Sequence, residues 1–153
     1  MDRKGIACDN LVVTLTNLYA VRAIMTCINS NSYLNALLLS GAMTSSIIYH
    51  ALENAKHNMT GIPQFKRYEL IALNFDRLFA VLVVTRFIML YHKKINQQIL
   101  TLAICSLVCM LLSECQHVIN LNSYSVRYTK LFYIITHCLW HIGAFHVAYL
   151  LTN

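Results

Sequence analysis

The sequence predicts an all-α membrane protein, a single bundle of about five transmembrane helices that takes in residues 1–153. Of the 153 residues, 58% are hydrophobic and only 12% are charged, which is far from the usual balance of a soluble domain. The mean hydropathy of +0.54 points the same way. One proline and four glycines leave little material for a flexible linker, so we expect one transmembrane domain and no second module.

Apolar stretches that approach the length of a membrane span, about 20 residues, define the expected helices. They lie at about 11–28, 33–52, 69–90, 98–113 and 131–151. The polar segments between them, which we predict as loops, are 29–32, 53–67, 92–94 and 114–129. Basic residues before the first stretch resemble a signal peptide, but that stretch is too long and contains Arg22, so a retained first helix is expected.

The twelve Lys and Arg residues give a net charge of +6. They are scattered between apolar runs instead of forming a basic patch, which argues against a nucleic-acid partner. With five crossings, seven of the loop cations lie on the side of the N-terminus and two on the other side. The positive-inside rule then places the N-terminus in the cytoplasm, in an endomembrane (ER or Golgi) or the plasma membrane. The seven cations on the N-terminal side are Arg3, Lys4, Lys56, Lys66, Arg67, Arg127 and Lys130. The two on the other side are Lys93 and Lys94.

Two further sequence features have weaker interpretations. The glycosylation sequon Asn58-Met59-Thr60 lies in a loop that the charge bias calls cytoplasmic, and we give more weight to the charge bias because so short a motif often arises by chance. Four of the six cysteines lie inside apolar stretches and form no CxxC pair, so we expect buried thiols and not disulfides. These four are Cys27, Cys105, Cys109 and Cys138.

Polar side chains within the apolar stretches suggest a metal site. His137 and His141 are four residues apart on the last helix, a spacing that lets two imidazoles converge on one metal ion. Ser46 and His50 have the same spacing on the second helix. All four lie toward the same face of the membrane, together with Asp76, the one acid well inside a predicted span.

Three neutral imidazoles, from His50, His137 and His141, would hold Zn²⁺ and leave a fourth position for water, as in catalytic zinc sites. Asp76 could then accept the proton of that water, and Ser46 could hydrogen-bond the water or the developing oxyanion. Those roles fit acyl transfer to water. A different interpretation of Asp76, on local evidence alone, is an ion pair with an arginine of the bundle.

The ordered pattern Ser46-x3-His50, Asp76, then His137-x3-His141 with Trp140 before the last histidine resembles the CREST superfamily of membrane proteins. That group includes the alkaline ceramidases, the adiponectin and progestin receptors, and myomaker-like proteins. The resemblance covers about two thirds of the chain. It implies a zinc bound by the three histidines, with Ser46 and Asp76 beside it, and a lipid amide hydrolase in the ceramidase branch. Members usually have seven helices, and the chain resembles a form shortened by two.

Three functions remain open from the sequence. The first is a zinc-dependent intramembrane hydrolase of a lipid amide such as ceramide, or of a related acyl lipid. The second is a non-enzymatic myomaker-like or receptor-like protein with a structural zinc. The third is a small oligomeric pore lined by Arg22, Arg86 and Asp76, which would not need three histidines at one depth.

Overall fold

The computed structural model describes residues 7–53, 59, 61–115 and 126–153. These residues are all-helical, with no strand among them. The α-helices are α1 (Ala7–Thr16), α2 (Ala20–Asn29), α3 (Tyr33–Leu52), α4 (Glu69–Tyr91), α5 (Gln97–Glu114) and α6 (Val126–Thr152). A short 3₁₀ turn joins α1 to α2, so the two form one helical segment in the position of the first predicted span.

Local sequence explains where several helices begin and end. Asn31 adopts the left-handed conformation after α2, and the amide of Ser32 donates to the carbonyl of Cys27 at 2.8 Å. This is a Schellman cap, in which asparagine tolerates a φ that most residues avoid. At the start of α5, the side chain of Asn96 accepts a hydrogen bond from the amide of Ile99 at 2.9 Å, which satisfies one of the free amides of the first turn.

The helices match the predicted apolar stretches closely, but two of them begin earlier. The first begins at Ala7, four residues before the predicted start at 11. Helix α6 begins at Val126, five residues before the predicted start at 131 and inside the segment predicted as a loop. Two residues of the added turn, Arg127 and Lys130, are charged but have good helix propensity, so the helix continues beyond the apolar stretch. Hydropathy locates membrane spans, and it does not locate helix ends.

Three helical segments are long and apolar enough to cross a membrane: Asn10–Asn29, Gln97–Glu114 and Tyr128–Thr152. Large apolar side chains are also exposed along them, for example Leu15, Leu107 and Ile135. Exposed apolar surface of this extent is typical of a protein whose solvent is lipid. These features indicate a membrane protein.

The helices are arranged in an open horseshoe. From one end to the other the order is α4, α3, the α1–α2 segment, α6 and α5, and each packs on the next. The helices at the two ends, α4 and α5, are described in full and are not packed closely on each other. Small side chains allow close approach between the inner helices, notably Ala20, Ala23 and Ala36, as is common in membrane bundles.

The expectation of buried thiols is correct for one of the four cysteines. Cys27 is buried, whereas Cys109 and Cys138 are partly buried and Cys105 is exposed. Cys105 was expected to be buried because it lies in an apolar stretch, but in lipid an apolar stretch does not reveal which helix face packs inward. All four are free thiols.

Candidate metal centre

Three histidines from two helices meet at one end of the bundle. His50 lies in the last turn of α3, and His137 and His141 lie on the inner face of α6. All three are buried, and one ring nitrogen from each lies within 4.8 Å of the others. The sequence prediction that this trio is brought together is therefore borne out in the fold, and the group could hold a metal ion.

Their rings face one another. The Nε2 atoms of His50 and His137 are 3.1 Å apart, and the ring centroids of His137 and His141 are 4.7 Å apart. Two ligand nitrogens of a tetrahedral zinc, each at about 2.0–2.1 Å from the ion, are separated by about 3.3 Å. The His50–His137 pair is already near that spacing, and the ligand atoms of all three histidines lie within 4.8 Å of one another.

The outward Nδ1 atom of each ring has its own partner. Nδ1 of His50 is 3.0 Å from Oε2 of Glu53, and Nδ1 of His137 is 3.1 Å from Oγ of Ser113. Nδ1 of His141 is 3.0 Å from Oγ1 of Thr16. Partners of this kind fix the tautomer and orientation of metal-binding histidines.

The two hydroxyl partners are also close to backbone carbonyls of their own helices. Oγ of Ser113 is 2.7 Å from the carbonyl oxygen of Met110, and Oγ1 of Thr16 is 2.7 Å from that of Val13. When each hydroxyl donates to its carbonyl, its oxygen accepts a hydrogen bond from Nδ1 of the histidine. In that tautomer the Nε2 atoms of His137 and His141 have free lone pairs, as metal ligands require.

His50 has a carboxylate as its partner, so its Nδ1 donates to Glu53. The Glu53 carboxylate also accepts from the hydroxyl of Tyr133 at 2.9 Å. The lone pair on Nε2 of His50 then faces Nε2 of His137 at 3.1 Å. That distance fits a hydrogen bond donated by His137 in one tautomer and a shared metal ion in the other.

Glu53 was not among the residues predicted for the site. It is fully buried and follows α3 directly, three residues after His50, which is a spacing that places side chains on one helix face. That spacing was the available signal. The side chain of Asn10 donates to the carbonyls of His50 and Glu53 at 2.7 and 3.0 Å, and so ties α1 to the end of α3.

Ser46 and Asp76 lie beside the trio, as the sequence predicted. Oγ of Ser46 is 3.4 Å from Nε2 of His141, and the Ser46 hydroxyl also interacts with the Asp76 carboxylate. A cavity of about 110 Å³ is lined by Ser46, Asp76 and His141, with Asn17 and Trp140 among its other walls. A space of that volume has room for a few water molecules. Water can therefore lie next to both polar groups.

The other histidines and the arginines named above lie outside this group. His146 is nine residues after His137, about half a rotation around α6, and its Nδ1 is 3.2 Å from the hydroxyl of Tyr19. Arg22 lies over the ring of Tyr149, 3.8 Å from its centroid. His57, His117 and the sequon asparagine Asn58 fall outside the described residues.

Arg86 is likewise at the opposite end of the bundle, where its Nε donates to Oδ1 of Asn35 at 3.2 Å. The arginine that interacts electrostatically with Asp76 is its chain neighbour, Arg77. The carboxylate thus has a nearby cation as well as the Ser46 hydroxyl and lines the cavity beside His141.

Comparison with known proteins finds a viral relative. The chain is 29% identical over 150 residues to a protein of Acanthamoeba polyphaga mimivirus that is described as uncharacterized, and the match takes in 92% of this chain and 94% of that protein. No family model matches the chain. No solved structure matches it either.

Proposed function

We propose that this protein is a zinc-dependent intramembrane hydrolase of a lipid amide, ceramide-like in chemistry, or of a related acyl lipid. The observation that carries the proposal is the convergence of three buried imidazoles, with one ring nitrogen of each within 4.8 Å of the others, and with Ser46 and Asp76 next to them. Three protein ligands, and not four, are the usual number in a catalytic zinc site. Imidazole donors suit zinc well.

The proposal also covers how the chain crosses the membrane and which family it belongs to. We propose that α3 and α4 cross the bilayer as well, since their 20 and 23 residues give lengths of about 30 Å or more. The resulting five-helix bundle would be a shortened member of the CREST superfamily, with a cytoplasmic N-terminus. The side chains that support this membership are His50, His137 and His141, which lie together with Ser46 and Asp76 as the resemblance implies.

Each polar side chain has a role in the proposed reaction. A bound zinc ion would supply Lewis-acid activation of water and of the amide carbonyl. The Asp76 carboxylate, at the edge of the cavity, accepts a proton from the attacking water and can return it to the leaving amine. The Ser46 hydroxyl, between Asp76 and His141, donates to the oxygen on which negative charge develops.

Zinc content and turnover, measured on the same samples of detergent-purified protein, test the proposal. We expect one zinc per wild-type chain and none in His137→Ala. His146→Ala is the matched control, since it removes a histidine of the same helix that has a separate partner, and it should keep its zinc. Asp76→Asn should keep zinc and lose about 10²–10⁴-fold in turnover on labelled ceramide.

The contrary outcomes are distinct. A wild-type protein without stoichiometric zinc overturns the metal site. A zinc-replete wild type with no turnover on any lipid amide or ester overturns the hydrolase and leaves a structural zinc, as in a receptor-like or myomaker-like protein. Full turnover by a monodisperse Asp76→Asn protein removes Asp76 from the mechanism.

A further inference from the structure

The side chain of Asn17 is a buried polar group that has no role in the reaction proposed above. Asn17 begins the short 3₁₀ turn between α1 and α2 and is fully buried. Its Nδ2 donates to the carbonyl of Val13 at 3.3 Å. This contact fixes the orientation of the amide, because the flipped orientation would bring two acceptor oxygens together. Among the residues that the structure describes, Oδ1 of Asn17 is the one buried side-chain nitrogen or oxygen without a hydrogen-bond partner.

A buried acceptor without a donor needs a physical explanation. Native proteins satisfy the large majority of their buried polar atoms, because an unpaired one lowers stability. The cost is greater inside an apolar span, and Asn17 lies within the segment Asn10–Asn29 that is long and apolar enough to cross a membrane. An apolar side chain at this position would avoid that cost. The missing donor must then come from a water molecule or from a ligand.

The position of Asn17 indicates where a ligand would meet it. Asn17 lines the same small cavity as Ser46, Asp76 and His141. The residue before it, Thr16, is 3.0 Å from Nδ1 of His141 through its Oγ1 atom, so the turn holds Asn17 beside the candidate metal centre. Within the described part of the chain, the cavity therefore offers an acceptor that no protein donor satisfies.

We propose that Oδ1 of Asn17 accepts a hydrogen bond from the N–H of the substrate amide, and that this contact makes the protein select secondary amides over esters. The inference rests on the proposed function, which by itself admits both kinds of acyl lipid. A secondary amide brings the donor that Oδ1 lacks, whereas the bridging oxygen of an ester places a second acceptor against it. A site built to bond a substrate N–H rejects the analogue without it, because its own polar atom is left unpaired.

Binding of two matched probes tests the contact. N-butylbutanamide and butyl butanoate differ only in the N–H group that replaces the bridging oxygen. Trp140 is the single tryptophan of the chain and lines the cavity, so its emission reports occupancy. The titrations use the full-length protein, purified in detergent with zinc present and carrying Asp76→Asn so that bound probe is not consumed. Affinities are compared at equal free probe concentration.

We expect the amide to bind about 5–150-fold more tightly than the ester, which corresponds to the cost of leaving one buried polar atom unpaired. Asn17→Leu keeps the approximate side-chain volume and removes the acceptor, so it should weaken amide binding, spare ester binding and abolish the preference. A merely structural role for Asn17 would weaken both probes alike. Asn74→Leu is the matched control, since it makes the same change at an exposed position of α4 that does not line the cavity, and it should keep the preference.

Turnover gives a second measurement in protein with Asp76 intact. Asn17→Leu should lower the ratio of kcat/KM for labelled ceramide to that for its ester analogue, by a factor similar to the lost binding preference. The intrinsic reactivities of the amide and the ester cancel when this ratio is compared between wild type and variant.

Three binding results would overturn the proposal. The first is equal affinity for the two probes, or saturable binding of neither, in the protein that retains Asn17; this comparison decides even if Asn17→Leu fails to fold. The second is an amide preference that survives in Asn17→Leu, which would leave water as the donor to Oδ1. The third is an equal loss of affinity for both probes. An amide preference that Asn17→Leu abolishes, in a protein that hydrolyses neither amides nor esters, keeps the contact and removes the hydrolase.

Discussion

Replacing Glu53 with glutamine tests whether the buried carboxylate holds the metal site in order. The carboxylate accepts from Nδ1 of His50 at 3.0 Å and from the hydroxyl of Tyr133 at 2.9 Å. Glu53→Gln keeps the shape of the side chain and removes its negative charge. The proton on Nδ1 of His50 is then less strongly held, and Nε2 becomes a weaker ligand.

The expected size of the effect follows from the geometry. A partner that bonds a metal-binding histidine directly contributes about 10–100-fold in metal affinity, which corresponds to roughly 1.4–2.7 kcal/mol. The fully buried position of Glu53 favours the upper part of that range, since a charged hydrogen bond is stronger away from water. Glu53→Ala would also leave Tyr133 and His50 without an acceptor, at a further cost in stability of about 1–3 kcal/mol.

The assay is a competition titration of zinc against a chelator of known affinity, on detergent-purified wild type and variants. Glu69→Gln is the matched control, because it removes the same carboxylate charge at the start of α4, whereas Glu53 is the acid 3.0 Å from Nδ1 of His50. A zinc affinity of Glu53→Gln equal to that of Glu69→Gln would refute the role of Glu53. The result does not depend on whether the protein hydrolyses anything.

Two further predictions concern the other end of the bundle and the topology. Arg86→Lys should leave the zinc content unchanged, because Arg86 donates to Asn35 at the end of the bundle away from the histidines. Loss of zinc from this variant in a metal analysis would contradict that position for Arg86. If the side with more Lys and Arg is cytoplasmic, a cysteine at Gln64 should be protected from an impermeant thiol reagent added to intact cells, in a protein whose native cysteines are replaced by serine. A cysteine at Lys93 should be labelled, and the opposite pattern would reverse the topology.

Much of the helical framework is predictable from composition. Apolar runs of near-span length placed every long helix, because a backbone in hydrocarbon must satisfy its own hydrogen bonds and does so as a helix. The ends were less predictable, as the early start of α6 at Val126 shows. The face of each helix that packs inward could be predicted only in part. Cys105, for example, lies in an apolar run and yet is exposed.

The sequence by itself identified the three histidines as candidate metal ligands. The spacing of His137 and His141 can be read along one helix, and so can the polar positions of Ser46, His50 and Asp76 within apolar stretches. Only the tertiary structure revealed Ser113 and Thr16 as their partners, because hydroxyl residues are common in membrane helices and nothing local distinguishes these two.

The tertiary structure also decided the shape of the cavities. Whether α4 and α5 close against each other depends on the packing of five helical segments together, and it leaves an open side next to Trp140. Periodicity and spacing describe one helix at a time. The partners of the imidazoles, the contacts of Glu53 and the open side arise from packing between helices distant in sequence, which no single segment encodes.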